Sequence, residues 1–182
     1  MPTEILVKSG TALVWADSTD YSSSVSGLAR TAQLDLTSVA AGAARQGAKA
    51  DLGATRADRF VVYVAIEFAS APTSLEVVDI YWAGSVSGTA GNSNPGGVSG
   101  ADAAFTGTAG DALDDCTPQL IRIGPLIATA DATTVVQYQQ VGVLSGVPRY
   151  GMPIVYNRTS QALVSDGTEQ FVALIPEVVE SQ

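Results

Sequence analysis

Phe60-Val61-Val62-Tyr63-Val64-Ala65-Ile66-Glu67-Phe68 is the stretch of sequence that decides the fold. Its even-numbered residues are all large and apolar, and Val61, Tyr63 and Ala65 keep the opposite face largely apolar as well. Successive side chains of a β-strand point to opposite faces of the sheet. The pattern therefore predicts a central strand that is covered on both sides.

Seven further segments around this strand have strand character, and turn residues separate them. Two-residue alternation is clearest over 28–36, and a Gly-containing link at 40–43 predicts that this segment pairs as a hairpin with the next one. Eight strands with almost no helical period predict an all-β protein, a β-sandwich of the jelly-roll type with about eight strands. The segments are 28–36, 43–52, 60–68, 75–82, 119–128, 134–144, 152–157 and 169–179.

Two stretches do not fit the strand pattern: residues 1–26 and an insertion over 83–118. We therefore divide the chain into an N-terminal segment, 1–26, and a sandwich domain, 27–182, which contains the insertion. In the first, Ile5-Leu6-Val7 and Ala12-Leu13-Val14-Trp15 are predicted to pair as a hairpin around Ser9-Gly10. Two interpretations stay open: an ordinary first hairpin of the sandwich, or an arm on a polar tether that docks on a neighbouring molecule.

The second stretch is a Gly/Ser/Asp-rich insertion over 83–118. It includes Gly91-Asn92-Ser93-Asn94-Pro95-Gly96-Gly97, a run of turn-forming residues. A structureless loop of this length is uncommon in a compact domain and is usually functional or mobile. We therefore expect the insertion, like the N-terminal segment, to be a place of contact.

The charge balance disfavours two classes of partner. The chain has 9 basic and 18 acidic residues, a net charge of −9, and residues 61–182 carry all of the excess. Proteins that bind phosphates by bulk electrostatics usually carry positive patches, so we expect neither a nucleic acid nor an anionic membrane as partner. No segment reaches the roughly 18 consecutive apolar residues of a membrane span. The first residues also lack the features of a signal peptide, which predicts synthesis and maturation in a cytoplasm.

Catalytic chemistry is poorly supplied in this sequence. There is no histidine, which removes histidine-based nucleophile activation and most zinc sites, and Cys116 is the only cysteine. We therefore expect a protein that is not an enzyme, and we assign no catalytic, cofactor-binding or metal-binding residue.

The acidic residues of the insertion are the one set that leaves alternatives open. Asp111, Asp114 and Asp115 cluster there, with Asp102 upstream. They are interpreted as solvated loop acids, as ligands of a calcium ion, or as a carboxylate pair for acid/base catalysis. Their spacing does not match the Asp-rich calcium loop motif, and an exposed loop is a poor place to raise a carboxyl pKa. Asp17 and Asp20 have the same interpretations.

Three other features have both a functional and a structural interpretation. Asn157-Arg158-Thr159 matches a glycosylation acceptor but is explained equally by a turn between strands. Gln137-Tyr138-Gln139-Gln140 suits either a sheet face that contacts another protein or a solvated face. Several aromatic residues could form a sugar-binding platform, although the spacing of Trp82 from Ile80 and Val78 is typical of a core. The candidates for the platform are Trp15, Tyr81, Trp82, Tyr138, Tyr150 and Tyr156.

The small-residue style of the chain resembles that of small virion structural proteins of tailed bacteriophages. The resemblance lies in Leu28-Ala29-Arg30-Thr31-Ala32-Gln33-Leu34-Asp35-Leu36-Thr37-Ser38, in Gly42-Ala43-Ala44-Arg45-Gln46-Gly47-Ala48-Lys49-Ala50-Asp51-Leu52-Gly53 and in Asn94-Pro95-Gly96-Gly97-Val98-Ser99-Gly100. Within that group the chain is most similar to head decoration (cement) proteins, with tail components second.

The resemblance implies a virion protein on the capsid surface, made in the host cytoplasm. It implies binding to the major capsid protein or to other virion proteins, and self-association, with a trimer favoured. It implies no active-site residues. The alternative from another class is a carbohydrate-binding β-sandwich, or a tail or receptor-binding component.

Overall fold

The predicted central strand lies between two neighbours in one sheet of a two-sheet sandwich. Its inner face is buried, but Val61 and Tyr63 on the other face are only half-buried, so the strand is fully covered on one side and not on both. The computed structural model describes residues 5–109, 111–131 and 135–181. The strands are β1 (Ile5–Ser9), β2 (Leu13–Ala16), β3 (Ala32–Gln33), β4 (Ala44–Gln46), β5 (Ala50–Asp51), β6 (Arg59–Ile66), β7 (Val77–Ser85), β8 (Ala103–Phe105), β9 (Ile121–Ile127), β10 (Gln137–Ser145), β11 (Tyr150–Asn157) and β12 (Phe171–Ser181). The short helices are α1 (Ser23–Ser26) and α2 (Leu113–Cys116), and a 3-10 turn follows over Thr117–Gln119.

Eight of these strands form a jelly roll, which confirms the predicted all-β sandwich. Sheet A has the order β10-β6-β12-β2-β3, and sheet B has the order β8-β4-β11-β7-β9; β1 and β5 are additional partners of β12 and β11. The eight strands are those that remain when β1, β3, β5 and β8 are set aside. In chain order, the first pairs with the eighth (β2 with β12), the second with the seventh (β4 with β11), the third with the sixth (β6 with β10) and the fourth with the fifth (β7 with β9). A long antiparallel ribbon folded over itself in this way is the jelly-roll arrangement.

The core between the sheets is built from the inward-facing residues that the alternation predicts. In β6, Phe60, Val62 and Val64 are almost completely buried. Trp15 of β2 and Trp82 of β7 meet at the centre, with ring centroids 5.5 Å apart and ring planes at 86°. Edge-to-face packing of this kind places the positive ring edge of one indole against the negative face of the other.

The predicted hairpin between 28–36 and 43–52 is wrong. Only Ala32–Gln33 of the first segment is a strand, and it lies parallel to β2 in sheet A. The second segment belongs to sheet B, where β4 and β5 both pair with β11. Leu34 is fully buried all the same, because the chain crosses from one sheet to the other and fills the end of the core. Alternation reported correctly that one face is buried, but it carries no information on which strand is the neighbour.

The predicted N-terminal hairpin is also wrong, because β1 and β2 run in the same direction along one edge of β12. Ser9 pairs with Glu177 and Leu13 with Leu174, and between them the Gly10 amide donates to the Pro176 carbonyl at 2.8 Å. Ser9-Gly10 is therefore not a turn. At this point the chain continues along β12, past Pro176. The β2 part of the predicted 1–26 segment belongs to the sandwich core, while residues 1–4 lie outside the described residues.

The insertion over 83–118 is a packed layer on the outer face of sheet B. It begins inside β7, and β8 adds to the edge of β4. Its apolar side chains Val98, Phe105 and Cys116 are buried against that face, where Met152 and Ile154 belong to the same cluster. The Cys116 sulfur also accepts a hydrogen bond from the Thr108 amide at 3.1 Å. The sparse large residues of the insertion are therefore anchors, and its glycines allow the close turns between them.

Gly100 gives a direct test of this packed layer. Its φ is +78°, and a Cβ atom there would lie 1.9 Å from the Ala90 carbonyl oxygen. Replacing Gly100 with alanine is expected to lower the free energy of unfolding by about 2–4 kcal/mol, from left-handed strain and a backbone clash together. Urea denaturation measures the change. Gly91→Ala, at a position with open space around it, is the control and is expected to have almost no effect; equal stability of both variants would contradict a packed insertion.

Candidate functional site

The aspartates of the insertion do not come together as a site. Asp102 accepts two hydrogen bonds from the Arg45 guanidinium, at 2.8 and 2.9 Å, and so ties the insertion to β4. Asp114 pairs with Arg158, and the other two aspartates of the cluster are exposed. Among the described residues, no three His, Cys, Asp or Glu side chains form a set that could hold a metal ion. Neither the calcium interpretation nor the catalytic one finds an assembled set of ligands in that part of the chain.

A buried carboxylate that the sequence analysis missed lies under this region. Asp79 of β7 points to the outer face of sheet B and accepts a hydrogen bond from Arg122 Nη2 at 2.6 Å. It also forms an ion pair with Arg158, whose Nε lies 3.0 Å from the other carboxylate oxygen. The hydrogen bond to Asp79 raises the pKa of the Arg122 guanidinium, and Arg158 also stacks over the Tyr156 ring, 4.3 Å from its centroid. An acid inside the apolar run 75–82 was the available signal. Because two guanidinium groups neutralise it, we interpret Asp79 as structural.

The glycosylation motif at 157–159 is a buried hydrogen-bonding centre. Asn157 is completely buried, and its side-chain amide donates to the carbonyls of Val39, Ala40 and Gln161 at 3.2, 3.2 and 2.8 Å. Its side-chain oxygen accepts from the amide and the hydroxyl of Thr159, at 3.1 and 2.7 Å. A glycan acceptor has to be reachable at the surface, so the structural interpretation of this motif is the correct one.

The predicted aromatic platform is not assembled. Both tryptophans lie in the core between the sheets, and Tyr81 and Tyr156 are buried on the outer face of sheet B. Tyr138 is 55% exposed on the outer face of sheet A. There it stacks on Tyr63, a residue outside the predicted set, with centroids 5.4 Å apart and planes at 9°.

The polar run 137–140 divides by strand alternation into structural and exposed residues. Gln137 is buried and bonds the backbone of Thr129 in both directions, at 2.9 Å each. Gln139 does the same with the backbone of Ile127, at 3.0 and 2.8 Å. Tyr138 and Gln140 face outward, and Gln140 accepts from the Tyr63 hydroxyl at 3.2 Å. Only these two residues of the run remain available for contact.

Lys49 occupies an oxygen cage that orders the start of the insertion. Its ammonium group donates to Ser85 Oγ at 3.0 Å and to the carbonyls of Ser87, Thr89 and Asn92 at 3.0, 2.8 and 2.8 Å. Burial lowers the pKa of this ammonium group. The cage contains no carboxylate, so hydrogen bonds to the charged donor hold the loop.

Replacing Lys49 with methionine is expected to lower the free energy of unfolding by about 1–3 kcal/mol. The change keeps the aliphatic stem but removes the charged donor from the hydroxyl of Ser85, which is 1% exposed, and from three carbonyls, so only uncharged donors remain to them. Urea denaturation and hydrogen exchange of the amides over 85–92 measure the loss. Lys8→Met, which removes an exposed ion pair with Glu180, is the control and should cost less than about 1 kcal/mol. Unchanged exchange over 85–92 would show that the cage does not order the loop.

β1 and the last residues of β12, 177–181, form an exposed ribbon, which we call the terminal ribbon. Among the described residues, β1 pairs only with β12, and residues 178–181 pair only with β1, so both outer edges lack partners. Val7 and Val179 face each other across the ribbon and are 64% and 66% exposed. Unpaired edges with exposed apolar side chains are a template for strand addition.

A second exposed feature is a cleft on the outer face of sheet A, which we call the tyrosine cleft. Its volume is about 180 Å³. It forms because the small Ala65 lies between Tyr138 and Phe171 in one row across β10, β6 and β12. The segment 21–28 covers the neighbouring part of the same face and supplies the opposite wall. The cleft is lined mainly by Val25, Ala65, Val136, Tyr138, Glu169 and Phe171.

Comparison with known proteins gives no related protein from which a role for these surfaces could be inferred. None of the helices among the described residues is long and apolar enough to cross a membrane. The chain matches no protein-family model, no curated protein and no solved structure.

Proposed function

We propose that the chain is a non-enzymatic structural protein of a phage virion, a capsid decoration (cement) protein that binds the capsid lattice and stabilises the head. The terminal ribbon is the observation that carries this proposal. A strand pair with two unpaired edges and exposed valines is suited to adding its backbone to another protein. The resemblance of the sequence to decoration proteins supports the same role.

The chemistry of the chain supports a role in assembly more than a role in catalysis. The chain has no histidine, and its single cysteine is buried. Asp79, the buried carboxylate on the outer face of sheet B, is neutralised by Arg122 and Arg158. None of these groups is poised as a nucleophile or a general base.

Repetition in a symmetric shell would make modest contacts sufficient. Strand addition at one ribbon is a small interface, but many copies on one lattice, or a trimer on one lattice axis, gain from effective concentration by factors of about 10²–10⁴. The proposed partners are the major capsid protein or other virion proteins, and self-association into a trimer is part of the proposal. The proposed location is the outer surface of the virion, after synthesis in the host cytoplasm.

Deleting residues 1–9 tests the proposal. Trp15 lies in the core, so a longer deletion through residue 26 would unfold the sandwich, whereas deletion of 1–9 removes β1 and leaves β2 in place. Particles of the source virus that lack the protein are mixed with each variant and imaged by electron microscopy. The full chain is expected to cover the heads, and occupancy of the truncated chain is expected to fall at least about tenfold.

A matched control separates loss of the ribbon from loss of any exposed apolar side chain. Val86 is 79% exposed and lies far along the chain from the ribbon, so Val86→Ser should bind as the full chain does. The truncated chain must also keep its cooperative urea transition. Equal head occupancy of the truncated and full chains would refute binding through the ribbon, and absence of the full chain from heads would refute the decoration role.

Carbohydrate binding, as an isolated module or as part of a tail, is the second candidate. The stacked pair Tyr63 and Tyr138, with the amide of Gln140 beside it, favours this alternative because a sugar ring packs on an exposed aromatic face. A glycan array with and without chelator tests it. Binding that Tyr138→Ser abolishes would establish this function, and an array without signal in either condition would remove it.

A further inference from the structure

The tyrosine cleft combines an apolar interior with an acidic end. Tyr138 and Phe171 form one aromatic wall, with their rings in contact at 6.0 Å between centroids, and Ala65 lies between them in the same row of the sheet. Glu169 precedes Phe171 by two residues and lines the same cleft. Among the described residues, Glu169 has no lysine or arginine within ion-pair distance, and its carboxylate accepts no hydrogen bond within the described part of the chain.

Other carboxylates lie around Gly167, close to Glu169 in the chain. Gly167, two residues before Glu169, packs against Asp17 and Asp20, whose Cβ atoms lie 3.4 Å from the position of a Cβ built there. Asp166 adjoins it in the chain. None of these three aspartates forms an ion pair with a basic residue of the described chain. Glu169 therefore lies at the cleft in an acidic part of the chain, and within the residues described none of these acids is held in an ion pair.

Hydrogen bonds keep two of these acids ionised. Burial acts to raise the pKa of Asp17, but the Gln33 side chain at 2.7 Å and two backbone amides donate to its carboxylate, and the pKa is lowered overall. The side chain and the amide of Thr168 lower the pKa of Asp166. The negative charge is thus present at neutral pH.

From this geometry we infer that the tyrosine cleft binds one lysine or arginine side chain of a partner protein. The cleft, with a volume of about 180 Å³, is large enough to take one long side chain. The aliphatic stem of a basic residue would pack on Ala65, Val136 and Phe171, while its charged group reaches Glu169. The exposed face of Tyr138 adds a cation–π contact.

The carboxylate of Glu169 favours a basic side chain over an uncharged apolar one of the same length. A leucine or norleucine side chain would fill the same space but would leave the carboxylate of Glu169 next to an apolar surface without a partner. The inference rests on the proposed function, in which a virion protein supplies the basic residue. The cleft then adds a specific contact beside the strand addition at the terminal ribbon.

Titration of the full chain with short peptides, followed by NMR, tests the inference without any virion. The probes are blocked Gly-Lys-Gly, Gly-Arg-Gly and Gly-norleucine-Gly. The basic peptides are expected to shift resonances of Ala65, Val136 and Tyr138 saturably, and to bind about tenfold more tightly than the norleucine peptide. Glu169→Gln should remove that difference, and Tyr138→Ser should weaken all three peptides.

Two controls make the result specific. Asp111→Asn removes an exposed acid elsewhere, and Val86→Ser removes an exposed apolar side chain elsewhere; both should titrate as the unaltered chain does. Equal binding of norleucine and lysine peptides, or no saturable shift at the cleft, would overturn the inference. Stronger shifts with glucose, galactose or N-acetylglucosamine would also overturn it and would favour a saccharide site.

Head binding by the same variants separates the two proposals. If the full chain covers heads and Glu169→Gln covers them equally at low and high salt, the cleft inference fails while the decoration role stands. If the basic peptides bind the cleft but the full chain does not bind heads, the decoration role fails and the partner lies elsewhere. Weaker, less salt-sensitive head binding by Glu169→Gln would support both.

Discussion

Replacing Asn157 with alanine is expected to lower the free energy of unfolding by about 2–4 kcal/mol. The side chain satisfies five backbone and hydroxyl groups around it, and none of its own surface reaches solvent. Alanine leaves the Thr159 amide without an acceptor and opens a cavity, and an unpaired buried group costs about 1–3 kcal/mol before relaxation. The three carbonyls each lose one donor but keep another, from the Leu163 amide, the Ala43 amide and the Thr159 hydroxyl. Urea denaturation measures the loss, and Asn92→Ala, at an exposed position, should change stability by less than about 0.5 kcal/mol.

Replacing Asn157 with aspartate turns the same centre into a pH-dependent defect. An ionised carboxylate would face three carbonyl oxygens in a buried site, so the folded state should raise its pKa above the unfolded value of about 3.9. The proton is then held more tightly in the folded state, and stability falls as pH rises above about 4, by up to about 1.4 kcal/mol per pH unit. The stability difference from the unaltered chain should therefore grow between pH 4 and pH 7. A difference independent of pH would show that residue 157 reaches solvent.

Replacing Trp82 with alanine is expected to lower the free energy of unfolding by about 3–5 kcal/mol. The indole is fully buried between the sheets against Trp15, and the chain is shaped around it. A Cβ on Gly151 would lie 2.4 Å from the Trp82 ring, which shows how closely the backbone of β11 approaches. A rigid two-sheet core cannot close such a cavity completely.

The two tryptophans should differ when each is replaced with phenylalanine. The Trp15 indole donates to the Ala48 carbonyl at 2.8 Å, whereas the Trp82 indole nitrogen has no partner among the described residues. Trp15→Phe therefore removes a hydrogen bond and leaves a carbonyl unpaired, while Trp82→Phe removes a buried donor that is unpaired already. Trp15→Phe should cost about 1–2 kcal/mol more, measured by urea denaturation. Equal losses would contradict the assigned hydrogen bond.

The position of most strands could be predicted from alternation, because burial of one or both faces is written directly into the residue order. The run 60–68 covers β6 except for its first residue, Arg59, and 152–157 lies within β11. The strand predicted over 134–144 forms as β10 from Gln137, and residues 132–134 lie outside the described residues. Partner choice was not predictable in the same way. Ser9-Gly10 has the composition of a turn, yet β1 and β2 continue along one edge of β12.

The candidate surfaces depended still more on the tertiary structure. Tyr138 could be singled out from its polar neighbours, but Tyr63, Ala65 and Phe171 come beside it only through the pairing of β10, β6 and β12. Glu169 gave no sequence signal at all. Its importance arises from what lies around it, and single residue identities do not carry that information.

The sequence by itself determined a β-sandwich of about eight strands and little catalytic chemistry, because periodicity and the absence of histidine are local facts. Only the tertiary structure decided the rest: it buried the glycosylation motif, folded the insertion onto sheet B and left the terminal ribbon with edges that no other described strand pairs. These outcomes depend on pairing between residues distant in the chain. Such pairing is set by the total burial of apolar surface and by the satisfaction of backbone hydrogen bonds over the whole fold.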